Sequence, residues 1–209
     1  MVDLATLTAA VEAGDRRTAV AITQSAIDEG MAPQLILDAM TKAMDTVGGK
    51  FARNELYVPE MLISARAMKE STALLEPLLV KAGIRPEHTA VVGTIKGDLH
   101  DIGKNLVAMM WKGANIEVVD LGTNVSPEQF VAAAREHGAS LVGVSALLTT
   151  TMVGMKDVVA AVRAELPGVK IIVGGAPVTA DYAASIGADG YAPDAASAVE
   201  AAKTAVGMA

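Results

Sequence analysis

Thr89-Ala-Val-Val-Gly-Thr94 is a short run of small and β-branched residues, and Asp98-Leu99-His100-Asp101-Ile102-Gly103 follows it closely. The first run predicts a buried strand, and the second occupies the loop that leads into a helix. An imidazole in such a loop can bind a metal through one ring nitrogen while the other nitrogen donates its proton to a carboxylate. Asp98 can supply this carboxylate, and Gly103 removes a side chain where a bulky ligand would approach the helix. The pattern therefore makes His100 a candidate ligand for a large metal cofactor.

The motif by itself leaves a second interpretation open. Aspartates just before a helix commonly accept hydrogen bonds from its first backbone amides, so the loop could simply cap a helix that begins near Asp101. The rest of the chain supplies the context that distinguishes the two interpretations.

From about residue 86 onward, strand-like and helical patterns alternate. The strand-like runs are at about 89–94, 116–119, 140–145, 169–173 and 189–191. Ser126-Pro-Glu-Gln129 opens one of the intervening helices with a capping box. Five such units predict a flavodoxin- or Rossmann-like five-stranded parallel sheet with helices on both faces. The flavodoxin-like strand order, 2-1-3-4-5, would open a crevice at the C-terminal ends of the first and third strands, where His100 and Ser145 lie.

The first 85 residues predict helices throughout. Apolar residues recur at helical spacing, and Gly14 and Gly30 have the positions of helix stops. Short connections between four amphipathic helices predict an antiparallel bundle. Gly and Pro in the segment 82–87 interrupt both periodicities. We therefore expect a helical domain at 1–85 and an α/β domain at 86–209, an α/β fold class overall.

Composition limits the possible partners and location. The 209 residues are 52% hydrophobic and 3% aromatic, carry a net charge of -7 and include no cysteine. Without a basic face the chain is not expected to bind nucleic acid, and the absence of cysteine excludes disulfides and thiolate metal sites. The chain has neither a signal peptide nor a long apolar run, so we expect no membrane association and a cytoplasmic location.

The motif at 98–103 resembles the base-off, His-on cobalamin-binding signature of methionine synthase and of corrinoid proteins from methylotrophic and O-demethylating methyltransferase systems. Two further elements of that family are Ser-x-Leu after the third strand, matched by Ser145-Ala-Leu147, and Gly-Gly after the fourth, matched by Gly174-Gly175. All three occur in the family's order, each at the end of a predicted strand. The resemblance extends into the helical half, where 47–62 is similar to the family's segment that caps the methyl-bearing face of the corrin.

The resemblance implies a role for each matching residue. His100 would coordinate cobalt in place of the cofactor's own dimethylbenzimidazole, Asp98 would accept the second ring proton, and Thr151 would hydrogen-bond that aspartate. Ser145 would hydrogen-bond the displaced benzimidazole. The other cofactor-binding candidates belong to the motif or would line the corrin and its nucleotide tail: Leu99, Asp101, Ile102, Gly103, Leu147, Thr149, Gly174, Gly175 and Ala195.

The implied function is that of a non-catalytic corrinoid subunit that shuttles methyl groups. Its partners would be a donor-specific methyltransferase, an acceptor methyltransferase that uses tetrahydrofolate or a thiol, and a reductive activator. One alternative is a cobalamin sensor or storage module without methyl transfer. Another is a domain of the same fold that binds a different ligand, such as a flavin, although no flavin phosphate loop is recognisable in the sequence.

Several conspicuous residues outside these motifs have simpler interpretations. Trp111 is expected to pack in a helix, and His88 and His137 are expected at the surface. Lys104 and Asn105 are expected to be solvated at the start of the helix after the motif.

Overall fold

The computed structural model describes residues 2–208 of the chain. These residues divide into two compact units. The first unit consists of the chain up to Pro86 together with the short segment Gly113–Asn115. The second unit consists of Glu87–Lys112 and the chain from Ile116 onward. Within residues 2–208, no helix is long and apolar enough to cross a membrane.

The first unit contains the four predicted helices: α1 (Leu4–Glu12), α2 (Arg16–Asp28), α3 (Pro33–Ala52) and α4 (Val58–Lys81). Asp3 and Asp15 begin the first two by accepting backbone N–H groups, and Pro33 occupies the first turn of α3, where its missing N–H costs little. α1 packs against α2 and α3, and α2 packs against α4. The core of the bundle is made of fully buried aliphatic and methionine side chains: Leu7, Ile36, Met40, Met44, Met61 and Leu75.

The second unit is a parallel sheet flanked by helices. Its strands are β1 (Thr89–Thr94), β2 (Glu117–Asp120), β3 (Leu141–Ser145), β4 (Lys170–Gly174) and β5 (Gly190–Ala192). Their spatial order is β2-β1-β3-β4-β5, which is the flavodoxin-like order. The helices are α5 (Ile102–Gly113), α6 (Pro127–Glu136), α7 (Thr149–Met152), α8 (Met155–Glu165), α9 (Ala180–Ser185) and α10 (Ala195–Val206). The predicted fold is confirmed, whereas the short helix α7 was not indicated by the sequence pattern.

Two glycines in the central strands make room for the large aromatic side chains of this unit. A Cβ atom on Gly143 would lie 2.8 Å from the ring of Trp111, and one on Gly93 would lie 2.8 Å from the ring of Phe130. Both aromatic side chains are fully buried, and the indole Nε1 of Trp111 donates a hydrogen bond to a backbone carbonyl of α10 at 2.9 Å. The packing role predicted for Trp111 is therefore confirmed. The contact of Trp111 packs α5, the helix that follows the His100 motif, against the sheet, and the contact of Phe130 does the same for α6.

The register of the sheet aligns the ends of its strands. Thr94 is the partner of Ser145, Ser145 is the partner of Gly174, and Gly174 is the partner of Ala192. Because all the strands run in the same direction, these residues form one row at the carboxyl edge of the sheet. The loops that carry the three sequence elements therefore leave the sheet side by side.

Candidate functional site

The buried carboxylate of Asp98 is the centre of the candidate site. It lies in the connection between β1 and α5, residues 95–101, which we call the His100 loop, and its residue is 0% exposed. Its Oδ1 accepts hydrogen bonds from the backbone N–H and the ring Nδ1 of His100, at 3.1 and 2.7 Å. Its Oδ2 accepts the N–H groups of Leu147 and Leu148, at 2.8 and 3.3 Å, and the hydroxyl of Thr151, at 2.7 Å. The hydrogen bond between Thr151 and Asp98 that the resemblance implied is present.

These donors keep Asp98 ionised. Burial raises the pKa of the carboxyl group, but the hydrogen bonds from Leu147, His100 and Thr151 outweigh burial and hold the pKa well below its usual range. An ionised carboxylate can only accept hydrogen bonds, so the proton between the two side chains belongs to Nδ1 of His100. In the neutral imidazole the lone pair then resides on Nε2, the tautomer that a metal ligand requires.

The imidazole of His100 is fixed at one end and open at the other. Its side chain is 51% exposed, and Nε2 forms no hydrogen bond within residues 2–208. The hydroxyl of Thr94, at the end of β1, donates to the backbone carbonyl of His100 at 2.9 Å and helps to hold the loop. In the same part of the chain, no three His, Cys, Asp or Glu side chains form a group that could hold a bare metal ion. A single imidazole suits a metal that brings its other ligands with it.

Large apolar side chains lie exposed on the segments that carry these polar groups. Leu99 and Ile102, on either side of His100, are 74% and 78% exposed. Leu147 and Leu148, whose N–H groups bind Asp98, are also exposed. Apolar side chains placed close to a few polar groups are typical of ligand sites, and such a set offers a large, partly apolar cofactor a surface to cover.

The three glycines of the motifs fall into two classes. A Cβ atom on Gly103 would meet nothing within 4 Å, so the space beside α5 is open. A Cβ atom on Gly174 or Gly175 would lie 2.8 and 1.8 Å from the backbone oxygens of Ala192 and Ala146, and Gly175 has a φ of +123°. The packing of the strand ends therefore requires glycine at both positions. Their expected role of leaving room for a nucleotide tail stays a prediction.

The remaining predicted residues lie along the same edge or near it. Ser145 is partly exposed and its hydroxyl forms no hydrogen bond among the described residues, and Thr149 is exposed at the start of α7. Asp101 is exposed just before α5, and its Oδ2 accepts from the side-chain amide of Asn105 at 3.0 Å. Ala195 is buried at the start of α10, so it presents little surface to a ligand.

The expectation of a solvated Lys104 was wrong. Its residue is 2% exposed, and Nζ lies 2.6 Å from both carboxylate oxygens of Asp120 at the end of β2. Burial raises the pKa of Asp120, but the hydrogen bonds from Lys104 and from the N–H of Gly122 bring the pKa below its ordinary value. No sequence pattern indicated this ion pair, because its partners lie 16 residues apart and meet only in the folded protein.

Sequence reasoning also missed Thr94 and Asn124. The N–H of Gly97 donates to Oδ1 of Asn124 at 2.8 Å, and the N–H of Asn124 donates to the carbonyl of Asp98 at 3.1 Å. Asn124 has a φ of +59°, a left-handed conformation that asparagine adopts more readily than most residues. The available signal was the run Gly122-Thr-Asn124, one residue beyond the second strand, which has a turn composition at the carboxyl edge of the sheet.

Comparison with known families gives a consistent result for both units. Residues 88–200 match the family model described as a B12 binding domain, and residues 4–76 match a second model with the same description. A corrinoid protein of Desulfitobacterium hafniense (strain Y51) is 38% identical over 200 residues, which is 93% of each chain. A dimethylamine corrinoid protein of Methanosarcina barkeri is 38% identical over 189 residues, or 89% of each chain.

Solved structures extend this similarity to the fold. A cobalamin-binding protein from Desulfitobacterium hafniense DCB-2 matches with a TM-score of 0.82 and 27% identity, covering 98% of this chain and 99% of that one. A chain in the methanol:cobalamin methyltransferase complex of Methanosarcina barkeri matches with a TM-score of 0.86 and 28% identity, covering 99% of this chain and 80% of that one.

The hydrogen bond from Thr151 to Asp98 predicts a pH-dependent loss of stability in Thr151→Val. At neutral pH the variant should lose about 1–2 kcal/mol of unfolding free energy, because a hydrogen bond to a charged group is removed. The low pKa of Asp98 makes the folded protein more stable above about pH 4, and this contribution is lost as the pH falls below that value. The difference in unfolding free energy between the variant and the wild type should therefore become smaller at acidic pH.

Urea unfolding of the protein without cofactor, followed by the fluorescence of Trp111, measures this difference, because the only tryptophan lies in the α/β unit. Thr150→Val is the matched control, since Thr150 is an exposed neighbour on α7. If the difference in unfolding free energy between Thr151→Val and the wild type stayed constant from neutral to acidic pH, Thr151 would not act through the charge of Asp98.

Proposed function

The chain belongs to the B12-binding family of corrinoid proteins of methyltransferase systems, and we propose that it carries methyl groups between two methyltransferases with cobalamin bound base-off and His-on. The observation that carries the proposal is the imidazole of His100. Its Nδ1 is held by the buried, ionised Asp98, while its Nε2 forms no hydrogen bond within residues 2–208 and the apolar Leu99 and Ile102 of the same motif are exposed. An imidazole held in this way would suit the binding of cobalt through Nε2.

Different residues of the site would make different contacts with such a cofactor. The cobalamin that the family binds supplies, when present, a cobalt centre that accepts and releases a methyl group. The chain itself would bind the metal, orient the cofactor and offer an apolar surface for the cofactor to cover. In this proposal Nε2 of His100 is the protein's ligand to the metal, and the exposed Leu99, Ile102 and Leu147 cover the apolar face of the ligand.

Asp98 and Thr151 control the ligand through its second nitrogen. Asp98 keeps the proton on Nδ1 and thereby leaves the lone pair on Nε2. The hydroxyl of Thr151 and the amides of Leu147 and Leu148 share the negative charge of the carboxylate, so a change in the electron demand at Nε2 can be met by a shift in these hydrogen bonds. We propose that the side chains of His100, Asp98 and Thr151 act as a relay that adjusts the basicity of the imidazole.

The nucleotide tail would occupy the crevice beside β3 and β4. Ser145 offers a hydroxyl without a partner in the described residues at the end of β3, suited to the nitrogen of the displaced benzimidazole. Gly174-Gly175 turns the chain away at the end of the neighbouring strand, and Thr149 lies exposed on α7. Asp101 and Gly103 complete the proposed contact set, whereas the role of the buried Ala195 stays a prediction of the sequence.

We propose a donor-specific methyltransferase, an acceptor methyltransferase for tetrahydrofolate or a thiol, and a reductive activator as partners. Relatives named for dimethylamine, and a similar chain in a methanol:cobalamin methyltransferase complex, support such a pairing. They also make methylated amines and methanol the first donors to test. A cobalamin sensor or storage module remains the alternative, and it differs by binding the cofactor without turnover.

The His100→Ala variant tests the ligation. Wild-type protein loaded with methylcobalamin should give a base-off, His-on spectrum, and the variant should lose the His-on features and bind more than about tenfold more weakly, because the metal loses its protein ligand. The control is His137→Ala, since His137 is an exposed residue at the end of α6. In ¹⁵N-labelled protein with unlabelled cofactor, the cobalt(II) electron paramagnetic resonance signal should show a doublet from the protein nitrogen. A triplet from the cofactor's own base would contradict the proposal.

Gly103→Leu tests the proposed space for the corrin. The position is open and helical in the protein, so leucine should leave the α/β unit at least as stable as before, with a gain of up to about 1 kcal/mol from helix propensity. Methylcobalamin binding should weaken by about tenfold or more, because the added side chain occupies the ligand's space. Gly168→Leu is the control at a second open glycine. Unchanged affinity in the Gly103 variant would place the corrin elsewhere.

Methyl transfer itself is tested with purified partners. Reduced, cobalamin-loaded protein should take up labelled methyl groups from dimethylamine or methanol when the matching methyltransferase is present, and should pass the label to a tetrahydrofolate or thiol acceptor system. His100→Ala, loaded with the same amount of cobalamin, should be slower by about tenfold or more, because its metal has no protein ligand. Stoichiometric binding without uptake across methylamines, a quaternary amine, methanol and an aryl methyl ether would favour the sensor or storage alternative.

A further inference from the structure

The connection between β2 and α6, residues 121–126, holds the first half of the His100 loop. We call this connection the β2–α6 loop. Its Asn124 accepts the N–H of Gly97 through Oδ1 at 2.8 Å and donates its own N–H to the carbonyl of Asp98 at 3.1 Å. One asparagine therefore binds two peptide groups shortly before His100, those that join Lys96 to Gly97 and Asp98 to Leu99.

The same connection is tied to the other end of the motif. Asp120, the last residue of β2, binds the buried Nζ of Lys104 through both oxygens at 2.6 Å, and its Oδ1 also accepts the N–H of Gly122 at 2.8 Å. Lys104 lies in the first turn of α5, directly after the motif. Residues 120–124 thus contact the His100 loop at Gly97 and Asp98, and the first turn of α5 at Lys104.

We propose that Asn124 is a positioning residue for the metal ligand: it fixes the backbone of Gly97 and Asp98 so that the imidazole of His100 is oriented before cobalamin binds. The inference rests on the proposed ligation of cobalt by His100. Asn124 does not touch the imidazole and acts through the two peptide groups that it binds. A ligand loop ordered in advance reduces the entropy that binding must otherwise remove, and it keeps the ligand nitrogen within its productive geometry.

Three substitutions separate this role from a general structural one. Asn124→Gly tolerates the left-handed backbone at φ +59° and removes Oδ1, whereas Asn124→Asp keeps an oxygen that can accept the N–H of Gly97. Asn115→Gly is the matched control, because Asn115 has a φ of +60° and its side chain forms no hydrogen bond within residues 2–208. Both glycine variants change the flexibility of the unfolded chain in the same way.

The first measurement needs no cofactor. Amide hydrogen exchange of the unloaded protein should be about tenfold faster at Gly97 in Asn124→Gly than in wild type, with Asn124→Asp close to wild type and Asn115→Gly unchanged at this site. Exchange in the strands β1 and β3 should be the same in all four proteins, since the sheet does not depend on the contact.

The second measurement uses methylcobalamin. Asn124→Gly should bind about three- to tenfold more weakly, which corresponds to one net hydrogen bond, and should show a smaller His-on fraction in its spectrum. Asn124→Asp should recover most of the affinity and most of the His-on fraction. Asn115→Gly should match the wild type in both measurements.

Two outcomes overturn the inference. One is wild-type affinity and a full His-on spectrum in Asn124→Gly. The other is an equal loss in Asn115→Gly, which would assign the effect to backbone flexibility. Failure of the proposed function has a separate signature, because wild-type protein itself would then lack the His-on spectrum.

Discussion

The hydrogen-bonded burial of the Asp98 carboxylate is the constraint on which the site depends. A buried negative charge is costly unless donors surround it, and here five hydrogen bonds converge on its two oxygens. They come from the His100 loop, the amides after β3 and the hydroxyl of Thr151 on α7. These segments meet only because β1 and β3 are neighbours, with Thr94 and Ser145 in register at their ends. The strand order is therefore a condition for stabilising the charge, and the charge holds the imidazole of His100.

The consequence for His100 is an imidazole with opposite properties at its two nitrogens. Nδ1 is bound to an ionised acceptor, while Nε2 forms no hydrogen bond among the described residues and the apolar Leu99 and Ile102 of the same motif are exposed. Neither feature alone would distinguish the site from a capped helix start. In the proposed function their combination would let a single protein ligand suffice, because a corrin would bring the other ligands and the protein would supply one oriented base.

The features that the sequence predicted correctly are those that depend on residues close together in the chain. Strand boundaries, the capping box at Ser126 and the first turn of α3 at Pro33 depend on residues close together in the chain, so period and composition reveal them. The one-turn helix α7 is too short to show a period. The solvated environment expected for Lys104 was wrong because a helical pattern says which face a residue occupies but not which strand end lies beside it.

The sequence by itself determined the succession of helices and strands, the parallel sheet and the identity of the candidate ligand, because the motif elements each mark the end of a β-branched run. The resemblance implied the contact of Thr151 with Asp98, and only the tertiary structure revealed the contacts of Asn124 and of Lys104 with Asp120. Asn124, Thr151 and the pair of Lys104 with Asp120 reach their partners across 27, 53 and 16 residues of chain. The physical reason is that hydrophobic periodicity encodes burial, whereas a hydrogen bond between distant residues requires the strand order and register that bring donor and acceptor within 3 Å.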